Sequence, residues 1–233
     1  MKFNRVLVFA LAAGFLCQSA RASFSVFTTP GGSTVTDGAV NASVSFTTLA
    51  NEIQITLQNL QADPKSVGQN LSALIFTLDT GQHAGSILSS LGMERAVNGD
   101  GSFVDGSNVA AGWVLSAPGH SLQLDVLAGQ GHAGPAHTLI GPANSSSHDY
   151  QNANASIAGN GPHNPFLAES VTFDLAVPGV TAASKVTTVR FQFGTTDGSN
   201  QIAMTQSSSV PEPGMPGVLV VGSVMTLLRR RSA

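Results

Sequence analysis

VTFDLAV, at Val171–Val177, alternates apolar and polar side chains, and this alternation decides the fold class. Its apolar positions are Val171, Phe173, Leu175 and Val177. Successive side chains of a β-strand point to opposite faces, whereas a helix brings every third or fourth residue to one face. The stretch therefore predicts a β-strand with one buried face, and its β-branched and aromatic residues favour the same assignment.

The same period recurs along the chain between turn-forming dipeptides such as Asn98-Gly99 and Asp197-Gly198. The segments that show it are Ile53–Leu57, Leu74–Leu78, Leu122–Val126 and Val189–Phe193, with further candidates at Phe24–Thr28, Val40–Phe46 and Gly112–Ser116. We expect at most one short turn of helix, within Ser86–Arg95. Eight or so strands with one apolar face each can bury those faces by forming two sheets that pack face to face. The sequence therefore predicts an all-β fold, an antiparallel β-sandwich with a jelly-roll-like closure as an option.

One segment, Gly129–Pro165, departs from this pattern as a long loop rich in Gly, Pro and His that contains the only Tyr. Loops of this length are uncommon inside compact domains and are usually functional or disordered. The prolines and the scattered apolar residues favour an ordered meander packed over one edge or end of the sandwich. We expect any binding site in this loop or in the Asn98–Asn108 loop.

The first 22 residues have the three parts of a secretory signal peptide. A positively charged start precedes an apolar run, Val6–Leu16, that is too short to span a membrane. Ala20 and Ala22 then form a signal-peptidase site of the A-x-A type. The expected organisation is 1–22 signal peptide, 23–209 β-sandwich domain and 210–233 C-terminal segment. The only Cys leaves with the signal peptide, which excludes a Cys nucleophile and Cys-ligated zinc in the mature chain.

The C-terminal segment has three parts in order. Pro211, Glu212 and Pro213 form an extended tripeptide, because proline resists both helix and sheet. Met215–Leu228 is an uncharged membrane segment whose helix would cover ~21 Å, against a hydrocarbon core of ~30 Å. Three arginines follow and would hold the end on the cytoplasmic side; they are Arg229, Arg230 and Arg231. So short a segment favours a temporary hold, and a permanent membrane anchor is the alternative.

This order of motif, membrane segment and arginine cluster resembles the PEP-CTERM sorting signal. The segments Ile53–Leu78 and Gly134–Pro165 also look like motifs of uncharacterised PEP-CTERM proteins. The resemblance implies a β-rich substrate of an exosortase-type processing enzyme. Such a protein is exported across the inner membrane, anchored there transiently, and then secreted or held at the cell surface. It also implies an association with exopolysaccharide, biofilm and extracellular matrix, and it carries no catalytic residues.

The charge of the mature segment disfavours nucleic acid as a partner. Between Ser23 and Val210 there are four basic and 12 acidic residues, which leaves this part of the chain at −8. A surface of this sign repels phosphate backbones. Uncharged polar residues dominate the remainder, as expected for an exported β protein or for a surface that contacts sugars.

Candidate metal ligands lie in the two loops singled out above. Asn98, Asp100 and Asp105 place oxygen atoms at spacings that calcium loops use, although Phe103 replaces the Gly of the sharp turn and no bidentate Glu follows. The same residues are strong hairpin-turn formers. All six His lie between residues 83 and 163, and His132 and His137 are the candidates for a metal site on imidazoles. We expect no cofactor, with calcium as the alternative.

Local motifs for catalysis are absent from the sequence. There is no G-x-S-x-G, and the G-x-G-x-x-G at Gly129–Gly134 is followed by prolines where a helix would have to begin. We therefore expect a non-enzymatic surface or matrix protein. The alternatives are a calcium- or carbohydrate-binding module and, with less support, a secreted polysaccharide hydrolase that pairs carboxylates across strands.

Overall fold

The computed structural model describes residues 22–127 and 136–205, and all regular structure there is β-strand apart from one 3-10 turn at Val67–Gln69. The strands are β1 Ser23–Thr28, β2 Thr34–Val35, β3 Gly38–Ala39, β4 Ala42–Leu49, β5 Glu52–Asn59, β6 Leu71–Leu78, β7 Ser86–Val97, β8 Phe103–Val109, β9 Val114–Ser116, β10 Leu122–Asp125, β11 Leu139–Ile140, β12 Phe166–Ala176, β13 Val186–Phe193 and β14 Gln201–Thr205. The predicted all-β class is confirmed.

The larger strands form the two layers of a sandwich. Sheet I has the order β1-β4-β5-β12-β7-β8, and sheet II has the order β9-β10-β6-β13-β14. All pairs within the two sheets are antiparallel. The short strand β11 pairs in parallel with β12 and antiparallel with β6, so it joins the sheets along one side. The separate hairpin β2–β3 lies between β1 and β4 in sequence.

The inner faces of the two sheets enclose one apolar core. Phe46 of β4 and Phe76 of β6 meet across the layers with ring centroids 5.0 Å apart. Trp113, just before β9, packs on Phe173 of β12 at 5.6 Å. All four rings are almost fully buried. Full burial of one large apolar side chain contributes ~1.5–3 kcal/mol, so the alternating positions of the sequence supply the main stabilisation of the sandwich.

Strand β6 is an exception to the expectation of one polar face per strand. Seven of its eight residues are buried, and Thr77 alone is partly exposed. It lies between β10 and β13 in the middle of sheet II, and even its polar Ser72 and the neighbouring Gln192 of β13 are fully buried.

Strand β7 replaces the short helical turn allowed for Ser86–Arg95, and that expectation is wrong. The pairing of β7 with its neighbours shifts register at Leu88 and at Glu94. Each extra residue at a β-bulge reverses which side chains face inward, so a bulged strand loses its period of two. The expected Asn98–Asn108 loop is likewise mostly strand, because β8 begins at Phe103. Most of β8 is exposed, so the strand has no buried face that would require alternating apolar residues.

The described part of the long loop, residues 136–165, forms an ordered cap over one end of the sandwich. Its Ile140, Tyr150 and Ile157 are fully buried with Phe166 of β12 in a second apolar cluster. The backbone N–H of Ile157 donates to the carbonyl oxygen of Asn154 at 3.0 Å, and many other backbone hydrogen bonds stabilise the cap. The predicted meander packed at an end of the fold is confirmed for these residues.

Several predicted features lie outside the described residues. They are the signal peptide up to Arg21, His132, the motif Pro211-Glu212-Pro213, the segment Met215–Leu228 and the arginines 229–231. Across residues 22–127 and 136–205, no helix is long and apolar enough to cross a membrane.

Candidate functional site

Two β-bulges place the most deeply buried cation of the described structure. In β7, Arg95 pairs with Phe166 of β12 on one side and with Asp105 of β8 on the other. The register shifts next to both pairs, between Leu167 and Val171 and between Met93 and Arg95. The first bulge contains Glu169, whose φ of 60° is in the left-handed region. Bulges of this kind re-aim side chains, and here they turn charged groups toward one point.

We call the resulting group the Arg95 cluster; its members are Arg95, Asp105, Glu169, Tyr150 and Phe103. Arg95 donates from Nε and Nη2 to the two carboxylate oxygens of Asp105 at 2.6 and 2.8 Å. Its Nη1 donates to Glu169 at 2.9 Å and to the Tyr150 hydroxyl at 3.0 Å. The guanidinium also lies 4.1 Å above the Phe103 ring. One side chain therefore ties β7 to the edge strand, to the bulge and to the cap.

Burial and charge act in opposite directions on the acid–base properties of this cluster. Burial lowers the pKa of Arg95, but its hydrogen bonds to Asp105, Tyr150 and Glu169 outweigh that effect and raise the pKa above its ordinary value. Burial raises the pKa of Tyr150 to about 12, against the opposing hydrogen bond and charge of Arg95. The Tyr150 hydroxyl donates to the carbonyl oxygen of Gly141 at 2.8 Å. Because these polar groups form hydrogen bonds with one another, the Arg95 cluster acts as a structural link between the strands and the cap.

Asn98 and Asp100, two of the calcium candidates, form the hairpin turn between β7 and β8. Asp100 accepts from the hydroxyl and the backbone N–H of Ser102 at 2.6 and 3.0 Å, and these bonds lower its pKa. The Asn98 side chain donates to the same hydroxyl at 2.9 Å. The third candidate, Asp105, instead has both carboxylate oxygens on Arg95. The structure thus brings Asn98 and Asp100 together and directs Asp105 elsewhere; calcium binding stays a prediction.

His137, the described imidazole candidate, lies at the base of the cap. Its ring nitrogens contact the carbonyl of Ala111 at 3.2 Å and Glu94 at 3.3 Å, and its own carbonyl accepts from the indole N–H of Trp113 at 3.0 Å. The part of the chain that the structure describes contains no group of three or more His, Cys, Asp or Glu placed to hold a metal ion. His137 therefore connects β7, the cap and the core through contacts within the protein.

The outer face of sheet I carries a second candidate site, a row of mostly polar side chains that no single sequence motif predicts. The strand registers place five side chains in one row across β1, β4, β5, β12 and β7. In order they are Phe24, Thr47, Gln54, Asp174 and Ser89. At ~4.8 Å between strands the row is about 19 Å long. A neighbouring row contains Ser45, Thr56 and Thr172.

Most of these side chains line a shallow groove of about 330 Å³, which we call the sheet I groove. Phe24 stands at one end with 37% of its surface exposed. At the other end, Ser89 donates to the Asp174 carboxylate at 2.6 Å, and in the middle of the row Gln54 donates to Glu52 at 3.0 Å. Hydroxyl, carboxamide and carboxylate groups thus follow one another along a surface that ends in an aromatic ring. The signal for it in the sequence was the polar half of the same alternation that predicted the strands.

In comparisons with known proteins, no family model, curated protein or solved structure matches the chain.

Proposed function

We propose that this chain is an exported, exosortase-processed surface or extracellular-matrix protein that binds a neutral polysaccharide along the sheet I groove. The observation that carries the binding role is the groove itself. It combines an exposed aromatic ring with a row of hydrogen-bonding side chains on a rigid antiparallel sheet. The proposal of export and processing rests on the two terminal segments and on their resemblance to PEP-CTERM proteins.

The chemistry of the groove suits a sugar chain. Hydroxyl groups of a glycan both donate and accept, and Ser, Thr and Gln side chains do the same, while Asp174 accepts. The apolar face of a sugar ring packs on an aromatic side chain such as Phe24, and this contact removes apolar surface of both partners from water. The excess of acidic residues in the mature chain disfavours an anionic polymer, so the proposed ligand is neutral.

Binding is favoured over hydrolysis by the carboxylates near the groove. Glycoside hydrolysis uses two carboxyl groups on opposite sides of the scissile bond, with one protonated as the acid. Asp174 is the one carboxylate among the groove-lining residues that the structure describes. Its carboxylate accepts a hydrogen bond from the Ser89 hydroxyl, which lies outside the groove lining. The groove therefore supports recognition, and we assign it no catalytic residue.

The described strands are compatible with both proposed cuts. β1 begins at Ser23, directly after the signal-peptidase site, and β14 ends at Thr205, before Pro211. Removal of residues 1–22 and of the segment beyond Pro213 would leave every strand intact. Intact mass of the protein from envelope and medium fractions tests this. Loss of both ends supports processing, whereas a chain that retains Met215–Leu228 in the inner membrane would show a permanent anchor.

A binding experiment tests the groove separately. The chain is titrated with neutral polysaccharides and with an anionic polysaccharide, by affinity electrophoresis and by calorimetry. We expect the double variant Phe24→Ala, Gln54→Ala to bind at least about tenfold more weakly, because loss of ring stacking and of one or two hydrogen bonds removes more than ~1.4 kcal/mol. Gln58→Ala is the matched control, since Gln58 lies on the same strand and face but does not line the groove. Equal losses in both variants, or binding of the anionic polymer alone, would overturn the proposal.

A further inference from the structure

Two imidazoles from separate loops meet on the surface of the sandwich. His83 lies between β6 and β7, and His120 lies in the turn between β9 and β10. Their ring centroids are 5.6 Å apart with the ring planes at 85°. Both residues are exposed to solvent. We call them the imidazole pair.

We propose that the imidazole pair binds one divalent transition-metal ion, Zn²⁺ or Cu²⁺, through one ring nitrogen of each histidine. A metal–nitrogen distance of ~2.0–2.1 Å puts each ring centroid about 3.2 Å from the ion. At a tetrahedral angle two such centroids are about 5.2 Å apart. The observed 5.6 Å is therefore within a small side-chain adjustment of the separation that a shared ion requires.

The hydrogen bond of His83 prepares this ring for coordination. Its Nδ1 lies 2.9 Å from the carbonyl oxygen of Gly81, which can only accept, so Nδ1 carries the proton in that contact. Nε2 is then the nitrogen with the free lone pair. Histidines that bind metals almost always donate their other ring N–H in this way, which sets the tautomer and raises the basicity of the coordinating nitrogen.

Gln82, the residue before His83, is the second feature of this loop. It lines the same cleft of about 360 Å³ as His83. Its amide nitrogen donates to Gly179 at 3.1 Å, which fixes the orientation of the side chain. Its Oε1 is buried and has no hydrogen-bond partner in the described structure. Buried acceptors are normally satisfied, so the chain carries an unmet acceptor directly beside His83 in sequence.

The ligand set also selects the type of ion. Neutral imidazole suits zinc and copper, whereas calcium and magnesium take oxygen ligands. Two protein ligands leave the remaining positions to water, so the site is an exchangeable surface site that differs from a closed structural zinc centre. Binding would link the β6–β7 crossover to the β9–β10 turn and would stabilise the folded chain, because the unfolded chain does not hold the two rings together.

The test titrates the full chain, without a polyhistidine tag, with Zn²⁺ by calorimetry and with Cu²⁺ by electron paramagnetic resonance. The single variants His83→Asn and His120→Asn are each expected to weaken Zn²⁺ binding at least about tenfold. Each should also remove one nitrogen from the Cu²⁺ spectrum and abolish the rise in Tm that Zn²⁺ gives the unmodified chain. Both side chains are exposed, so the variants should fold, and Trp113 fluorescence checks that they do.

His163→Asn is the matched control. The Nδ1 of His163 contacts a backbone carbonyl, that of Ser156, at 2.7 Å, as His83 does, but its ring packs against no second imidazole in the described structure. We expect its binding to match that of the unmodified chain. Unchanged Zn²⁺ affinity in both His83→Asn and His120→Asn, or an equal loss in His163→Asn, would refute the proposed site.

Discussion

Replacement of Arg95 by Met is the sharpest test of how the cap is held on the sandwich. The substitution keeps an unbranched side chain of similar length and removes the guanidinium. In the folded protein that group is 5% exposed and holds two carboxylates and the Tyr150 hydroxyl. The variant would therefore separate the charge interactions of the Arg95 cluster from the packing of its stem.

The expected loss follows from the partners that remain. Hydrogen bonds to charged groups contribute ~1.5–3 kcal/mol each, and breaking a buried ion pair costs ~3–5 kcal/mol. Asp105 and Glu169 keep side-chain exposures of 33% and 49%, so water would replace much of what Arg95 supplied. Methionine also avoids the desolvation of a buried cation. We expect the free energy of unfolding to fall by about 2–4 kcal/mol, between the values for an exposed and a buried pair.

Urea unfolding followed by Trp113 fluorescence measures this loss. Trp113 is the only tryptophan, is 4% exposed and packs against Phe173, so its emission reports the main core. The matched control is Arg190→Met on β13, because Arg190 is exposed and its guanidinium donates to the Gln201 side chain at 3.3 Å. The control should change stability by less than about 0.5 kcal/mol. A loss below about 1 kcal/mol in Arg95→Met, or equal losses in the two variants, would refute the role given to the cluster.

Two further predictions concern the same end of the fold. Tyr150 is the only tyrosine, so the phenolate absorbance should titrate with a midpoint near its raised pKa of about 12. Because this folded pKa lies above the unfolded value of ~10, the contribution of Tyr150 to the free energy of unfolding is complete below pH ~10 and is lost as the pH rises toward 12. Tyr150→Phe should lack this alkaline loss in urea melts at a series of pH values, and a midpoint near 10 in the native protein would contradict the burial argument. Gly101→Ala should destabilise by at least about 1–2 kcal/mol, because φ is 85° there and a Cβ would lie 2.7 Å from the Tyr150 carbonyl oxygen. Gly99→Ala, with nothing within 4 Å, is the control in the same turn, and similar Tm values for the two variants would count against the close contact.

The sequence predicted strands best where they run without interruption. β5 and residues 171–176 of β12 follow clean alternations, because an unbroken stretch of strand buries every second residue in a two-layer sandwich. β7 was missed because the register shifts at Leu88 and Glu94 break the phase of the pattern. β8 escaped because an exposed edge strand buries too little to need apolar residues. The cap was predicted as an ordered segment, and its buried Tyr150 explains why the only tyrosine lies there.

The candidate sites were less accessible to sequence reasoning. Arg95 is a single arginine in a stretch without regular alternation, and no local pattern marks it. Its partners lie 10, 55 and 74 residues away in the sequence. The sheet I groove likewise consists of ordinary Ser, Thr and Gln residues that become a row only when four pairs of strands take their register. The imidazole pair joins two loops 37 positions apart in sequence, and neither loop carries a local motif.

Local periodicity was enough to determine that this chain is a β-sandwich with an ordered cap, because the period of two is a property of each strand alone and the need to bury its apolar face acts at every strand independently. The terminal segments, likewise read from local composition, led to the proposal of export and processing. Only the tertiary structure decided which polar residues meet. Strand order, register and bulges set those contacts, and they depend on pairing between distant segments, for which a single sequence carries no local record.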